Sequence, residues 1–290
     1  MRHVSIVVIA AISTIAFTQF ASAADLPRKA PVAPPPPPPF SWSGFYVGLN
    51  AGGGWRDPSD FVTVLTPCTI TGNCTSGRVL GVTADQLLGS ALGTGSGSRD
   101  GGFTGGGQIG YNKQFGNIVL GIEADIEYFK RSSSLTGTGI ITADPLSLTV
   151  TNHTDSNWLA TVRPRLGYAW DRWLVYVTGG LALTKLEYTQ TMVMTPLNPN
   201  LILIPGAEAL SVSKTKAGWT IGGGLEFAIW NNWSIKAEYL YLQFSGLSGT
   251  SAFRLVDGSP FSNVVTGSTG TVRDNIVRAG LNYRFGGGPF

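Results

Sequence analysis

The 290-residue chain contains 39 glycines, 11% aromatic and only 13% charged residues, with 20 Lys and Arg against 17 Asp and Glu for a formal charge of +3, and its mean hydropathy is +0.14. This composition excludes a disordered tail, and the near-neutral balance leaves no basic patch for nucleic acid. After the N-terminal region there is no uninterrupted apolar run of about 20 residues, so the mature chain enters a membrane as strands or not at all.

Met1-Arg2-His3 is a short cationic head, residues 4–17 are mostly apolar, and Ala21-Ser22-Ala23 supplies the small residues a signal peptidase accepts. Residues 1–23 therefore read as a secretory signal. Residues 24–41 follow as a spacer in the periplasm, built around the six prolines of 34–39. Such a run donates no backbone hydrogen bonds and holds an extended polyproline II form, so it suits a stiff spacer; capture by a proline-reading groove is the rarer use. Residues 42–290 form one domain.

Within that domain, counting period-two runs gives eight ribbons. The first, 44–55, sets Phe45, Val47, Leu49, Ala51 and Trp55 on one face and Tyr46, Gly48, Asn50, Gly52 and Gly54 on the other. Next, 102–112 places Phe103, Ile109 and Tyr111 opposite Thr104, Gln108 and Asn112. The third, 118–128, alternates Ile118, Leu120, Ile122, Ala124, Ile126 and Tyr128 with Val119, Gly121, Glu123, Asp125 and Glu127. The fourth repeats that layout with the opposite charge, Arg163 and Arg165 lying between Val162, Pro164 and Leu166. A fifth begins at Trp173, a sixth carries Trp219, Ile221, Leu225 and Phe227 against Glu226, and a seventh opposes Trp233, Ile235, Ala237, Tyr239 and Tyr241 to Ser234, Lys236 and Glu238. The last sets Val277, Ala279, Leu281, Tyr283 and Phe285 against Arg278, Asn282 and Arg284. A strand throws successive side chains to opposite faces, so each ribbon has a greasy and a polar side. The fold class that follows is all-β, an eight-stranded antiparallel up-and-down transmembrane β-barrel.

The connections alternate in length. Tight turns fall at 113–117, Asp171-Arg172 and Asn231-Asn232; four long links span 56–101, 131–157, 189–217 and 243–274. Barrels of the outer membrane have short periplasmic turns and long external loops, with both termini in the periplasm. Two cysteines, Cys68 and Cys74, lie in the first long link. In an exported protein they suit a small loop disulfide, and a metal site would need more ligands than are nearby. The same link contains Thr83-Ala84-Asp85, which can cap a short helix over 83–92 or belong to an irregular flap. The tryptophans add an independent line: Trp42, Trp170, Trp173, Trp230 and Trp233 map to one rim, Trp55, Trp158 and Trp219 to the other, as an aromatic girdle requires.

Several segments carry a family resemblance: Ala24-Asp25-Leu26-Pro27, Trp42-Ser43-Gly44-Phe45-Tyr46-Val47-Gly48, Gly121-Ile122-Glu123-Ala124-Asp125, Tyr176-Val177-Thr178-Gly179-Gly180, Lys236-Ala237-Glu238-Tyr239-Leu240-Tyr241 and Asn282-Tyr283-Arg284-Phe285. They resemble the small outer-membrane barrels of alphaproteobacteria, surface-antigen and porin-like proteins related to hemin-binding outer-membrane proteins. The resemblance covers the mature barrel and not the long links. It implies a bacterial outer-membrane location, outer-membrane lipids and the barrel-assembly machinery as partners, and structural, adhesive or hemin-binding roles. Assembly machinery reads a terminal-strand aromatic in such barrels; here Tyr283 and Phe285 keep register, and the tail from Gly286 to Phe290 is a departure that offers Phe290 as an alternative end.

An eight-stranded barrel has an interior just wide enough for its own side chains. With these registers the lumen holds Glu123, Asp125, Glu127, Glu226 and Glu238 with Arg163, Arg165, Lys236, Arg278 and Arg284, an almost self-cancelling set. A paired network in a filled lumen is favoured over a charge-lined pore. Catalysis is not expected: a lipid-modifying site would need a general base, and only His153, beside Ser156 in a long link, is on offer without a third orienting group. No cofactor is assigned, although His153 and Tyr188 are the residues a hemin iron would find. The expectation is a structural, non-catalytic barrel that presents its loops to an extracellular ligand or host surface, with a small-solute channel or a hemin-binding surface protein as alternatives. Membrane insertion is expected not to need the loops.

Overall fold

Alternation gives every ribbon one apolar face, and closing the ribbons into a ring turns all of those faces outward. In the computed structural model the described residues are 40–57, 61–66, 78–79, 82–83, 96–99, 101–141, 146–197, 206–230, 232–255 and 260–285. Eight long strands make the ring: β1 (Gly44–Arg56), β2 (Gly101–Phe115), β3 (Ile118–Ile141), β4 (Leu146–Trp170), β5 (Trp173–Pro196), β6 (Gly206–Ala228), β7 (Trp233–Phe244) and β8 (Val272–Arg284). Each pairs antiparallel with its sequence neighbours, and β8 returns to β1 with Tyr46 opposite Arg284 and Arg56 opposite Asp274. The up-and-down barrel expected from the alternation is the fold.

The expected outward set is outside. Leu49 is 71% exposed, and Phe45, Phe103, Ile109, Ile126, Val177 and Ile221 stand out with it. A continuous apolar belt of this kind is untenable in water and is the surface a bilayer covers. At two of the tight turns, Phe115 pairs with Ile118 and Trp170 with Trp173, leaving two-residue loops. Gly116 (φ 60°) and Asp171 (φ 50°) take the left-handed backbone that such loops need.

The links differ from the expectation. Residues 131–141 and 146–156 are not loop but the continuation of β3 and β4, paired from Arg131–Ser156 to Ile141–Leu146. In the same way 189–217 is largely the ladder of β5 and β6. These stretches are rich in Thr, Val and Ile, which favour extended backbone, but both faces are polar enough to hide the alternation. Register shifts after Tyr128 in β3 and after Ser156 in β4 mark where the belt ends and the extension begins. The link 243–274 forms the hairpin Ser248–Leu255 and Pro260–Thr269, whose second strand pairs with Phe61–Thr66 of the first link. Ser96–Arg99 pairs with β3, and Arg78–Val79 with Val82–Thr83. Thr83 is thus in a strand; the rest of the segment read as a helix or flap lies outside the described residues, as do Cys68, Cys74, the signal, most of the spacer and 286–290.

The core is inside the ring, in two apolar clusters. At the turn end Trp42, Val119, Ala169, Leu174, Tyr176 and Ala228 pack with Phe40. At the hairpin end Phe129, Leu159, Leu186, Tyr188, Leu240, Leu242, Phe244, Leu247, Val272 and Ile276 pack together, with Phe61, Leu210 and Val212 from the extension. The extensions therefore contribute core. The expectation that the loops are dispensable does not fit this packing: shortening them removes Leu210 and Leu247 from the cluster.

The lumen as candidate functional site

Between the two clusters lie the charges. Inward positions two apart on β3 carry Glu123, Asp125 and Glu127; β4 opposes them with Arg163 directly across from Glu123 and Arg165 across from Gly121. The ring brings β7 and β8 round with Lys236, Glu238 and Arg278. The Arg163 guanidinium reaches Asp125 at 2.7 Å, Glu123 at 2.8 Å and Glu238 at 3.1 Å. Arg278 meets Glu238 at 2.7 Å, Glu127 at 3.0 Å and Asp125 at 3.3 Å. Lys236 donates to both oxygens of Glu123, at 2.9 and 3.0 Å. Arg165 pairs with Glu226 at 2.9 Å, lies over the Tyr176 ring at 3.8 Å and donates to the Tyr46 hydroxyl, which in turn donates to Glu123 Oε2 at 2.7 Å. All of these charged groups are buried.

Each of these charges faces an opposite one, which is the condition for leaving water. Glu226 and Lys236 are cross-strand neighbours, yet they do not pair with each other. Glu226 takes Arg165 and accepts from Ser234 at 2.5 Å and Asn282 at 2.8 Å, while Lys236 reaches across the lumen. Neutral residues complete the shell: Thr161 donates to Asp125, Tyr176 to Glu238, and Gln108 to Asn282.

Sequence reasoning missed a second pair. Arg56 and Asp274 join β1 to β8 in a bidentate bridge of 2.8 and 3.0 Å, completed by Ser156 at 2.7 Å. Both fall at the ends of the links 56–101 and 243–274, although each continues the inward parity of its strand, 54 to 56 and 278 back to 274. Arg131 was missed for the same reason; it lies over the Phe129 ring and donates to the carbonyls of Lys130 and Phe103.

The other sequence candidates are placed as follows. Trp55, Trp170, Trp173, Trp219, Trp230 and Trp233 are exposed on the outside, and Trp158 is half-buried. Trp42 is a correction to the girdle: it is 2% exposed, turned into the turn-end mouth against Phe40 at 5.0 Å, and cannot reach lipid. Tyr283 and Phe285 stack edge to face at 5.1 Å, and the Phe285 N–H donates to the Phe45 carbonyl. His153 is not in a loop but inside β4, partly exposed, its Nε2 2.7 Å from Asp155. Tyr188, one residue before the Thr189 that faces His153 on the neighbouring strand, is fully buried and donates to Asn152. Their side chains leave opposite faces of the wall, because His153 is opposite Thr189 and Tyr188 opposite Thr154. They do not form one ligand set.

The chain is similar in sequence to known outer-membrane proteins. The family model of the outer membrane protein beta-barrel domain matches residues 30–285. A 31 kDa outer-membrane immunogenic protein of Brucella melitensis is 38% identical over 288 residues, covering 96% of this chain and 99% of its own. A 25 kDa outer-membrane immunogenic protein of Brucella canis is 24% identical, covering 98% and 100%. Among solved structures, OprG of Pseudomonas aeruginosa covers 84% of this chain and 97% of its own at 8% identity and a TM-score of 0.39.

Proposed function

The chain belongs to the family of outer membrane proteins with a beta-barrel domain, a bacterial outer-membrane protein, and from that premise we propose that it works as a closed, non-catalytic structural barrel. The reading rests on one observation: an ionic layer in the lumen, in which each charged group has an opposite partner, is bounded on both sides by apolar clusters. A solute entering from either end meets packed side chains before it meets charge. The closed cylinder would hold its place among outer-membrane lipids with both termini in the periplasm. Its ladder extensions would stand outside, where they present surface to whatever the cell meets. Tyr283 and Phe285 on the last strand would be the aromatics that the assembly machinery reads.

Planar-bilayer recording of the purified, folded protein tests this. The expected trace shows no uniform steps of conductance. Steady channels of one size would overturn the closed barrel in favour of a small-solute pore.

A further inference from the structure

Where β7 leaves the ring, β6 carries on alone. The two strands stay paired from Ala228–Ser234 to Gly218–Phe244. Beyond Gly218, β6 keeps its ladder with β5 as far as Gly206, but on the β7 side it next meets a partner only at Ala207 and Gly206, opposite Arg254 and Leu255. Residues 208–217 have no strand on that side among the described residues. The cause is local. A Cβ at Gly246 would run into the carbonyl oxygens of Thr269 and Gly270, so only glycine lets the chain turn in there. Leu247 then tucks into the core, its N–H donating to Thr269 Oγ1 at 2.9 Å. The following strand passes under β6, with Ser251 donating to Glu208 and Gly249 against the side chains of Leu210 and Val212. It covers inward side chains and, among the described residues, adds no ladder pairs to 208–217.

An open edge is a row of unpaired N–H and C=O groups, a template for another strand. At a rise of about 3.4 Å per residue this one is roughly 30 Å long, and it starts two residues beyond Trp219 of the girdle. Its two faces differ. Ser211, Ser213 and Thr215 are exposed on one; on the other, Lys214 is exposed and Lys216 half-buried at the girdle end, neither with an ion pair among the described residues, while Glu208 is buried at the far end. Two lysines on one face reject a basic strand and reward an acidic one. Phosphate groups would need only the ammonium groups, whereas the open main-chain ladder between two paired ends is matched only by polypeptide.

We propose that residues 208–217 of β6 dock an extended acidic segment of a partner protein as an added strand, with acidic residues at alternate positions over Lys214 and Lys216 and small polar ones over Ser211, Ser213 and Thr215. This goes beyond the closed-barrel reading and stands whether or not the lumen conducts. The test uses the full chain refolded in lipid nanodiscs and a fluorescent peptide of alternating Thr and Glu, followed by anisotropy. Saturable binding is expected. N-methylation of one alternate set of peptide residues should abolish it, and methylation of the other set should not, because only one set faces the edge. K214E/K216E should weaken the peptide by about tenfold and accept the alternating Thr and Lys peptide instead, with its heat-dependent gel mobility intact. The proposal is overturned if the parent peptide does not bind, if both methylated peptides bind equally, or if the only effect of K214E/K216E is poorer retention of lipopolysaccharide, whose phosphates would then be the ligand.

Discussion

Replacing Arg163 or Arg278 with methionine probes whether the lumen is dry. Methionine keeps much of the volume and removes the charge, so the loss is that of the guanidinium and not of packing. Removing one partner of a buried pair costs about 3–5 kcal/mol, because the other charge is stranded. The geometry ranks the two variants. With Arg163 gone, Glu123 keeps both bonds to Lys236, Glu238 keeps Arg278 at 2.7 Å, and Asp125 keeps Arg278 at 3.3 Å with the Thr161 hydroxyl at 2.7 Å. No acid is stranded outright, and R163M belongs at about 3 kcal/mol. Without Arg278, Glu127 loses its one ion pair among the described residues, while Glu238 loses its shortest ion contact. R278M therefore belongs at about 5 kcal/mol, and R278M/E127L should regain part of that. The assay is urea unfolding of the protein in lipid vesicles, followed by tryptophan fluorescence and by gel mobility. Midpoints that match the parent for both variants would mean that water takes over the carboxylates, and the filled lumen would fall with them.

Three further outcomes are expected. Trp42→Ala should lower the free energy of urea unfolding by about 3 kcal/mol, as an aromatic truncated in a core does; no change would place residues 40–42 outside the core. Gly52→Ala should destabilise by roughly 1–3 kcal/mol, since a Cβ there meets the Val277 carbonyl and the Arg278 backbone, whereas Gly53→Ala meets nothing closer than 3.7 Å and should be silent; equal folding yields of the two variants would refute that contrast. Burial holds the Glu208 carboxyl above its ordinary range, against a smaller opposing effect of the Ser251 hydrogen bond. The unfolded chain releases that proton first, so this contribution to stability is full below the ordinary carboxylate range and is lost as pH rises through the raised value. Proteolysis of the hairpin extension should accordingly be faster at about pH 8 than at about pH 5, and Glu208→Gln should flatten the difference; an unchanged pH dependence in that variant would assign it to another group.

How far the sequence spoke depended on contrast between the two faces of a strand. On β3, Ile122, Ile126 and Tyr128 alternate with Glu123, Asp125 and Glu127, and both faces and register follow from that alone. On β7 the same rule separates Ile235 from Lys236 but fails beyond Glu238, where Leu240, Leu242 and Phe244 are inward and as apolar as their outward neighbours. A period-two reading cannot separate lumen from lipid when both are apolar, so the hairpin-end cluster was invisible. The extensions of β3 to β6 failed for the opposite reason: Ser, Thr and Lys occupy both faces, and a two-sided polar strand looks like loop.

Those two failures have one physical origin, and it bears on how the barrel is built. A strand in the bilayer must be apolar outward, and inward it needs only to fill space; charge is one filling and leucine another. Here the chain uses charge at the middle, where five of the eight strands bring paired acids and bases together, and switches to Phe129, Leu240 and Phe244 as the wall rises towards the extensions. An ionic layer left open above would be hydrated, and each of its pairs would then be worth little. The apolar cluster that covers it keeps Arg163 and Arg278 at low dielectric, so that their contacts fix strand register across the ring. Because Tyr188, Leu210 and Leu247 belong to that cover, the outer hairpins and the ionic centre are one cooperative structure, and loosening the first should wet the second.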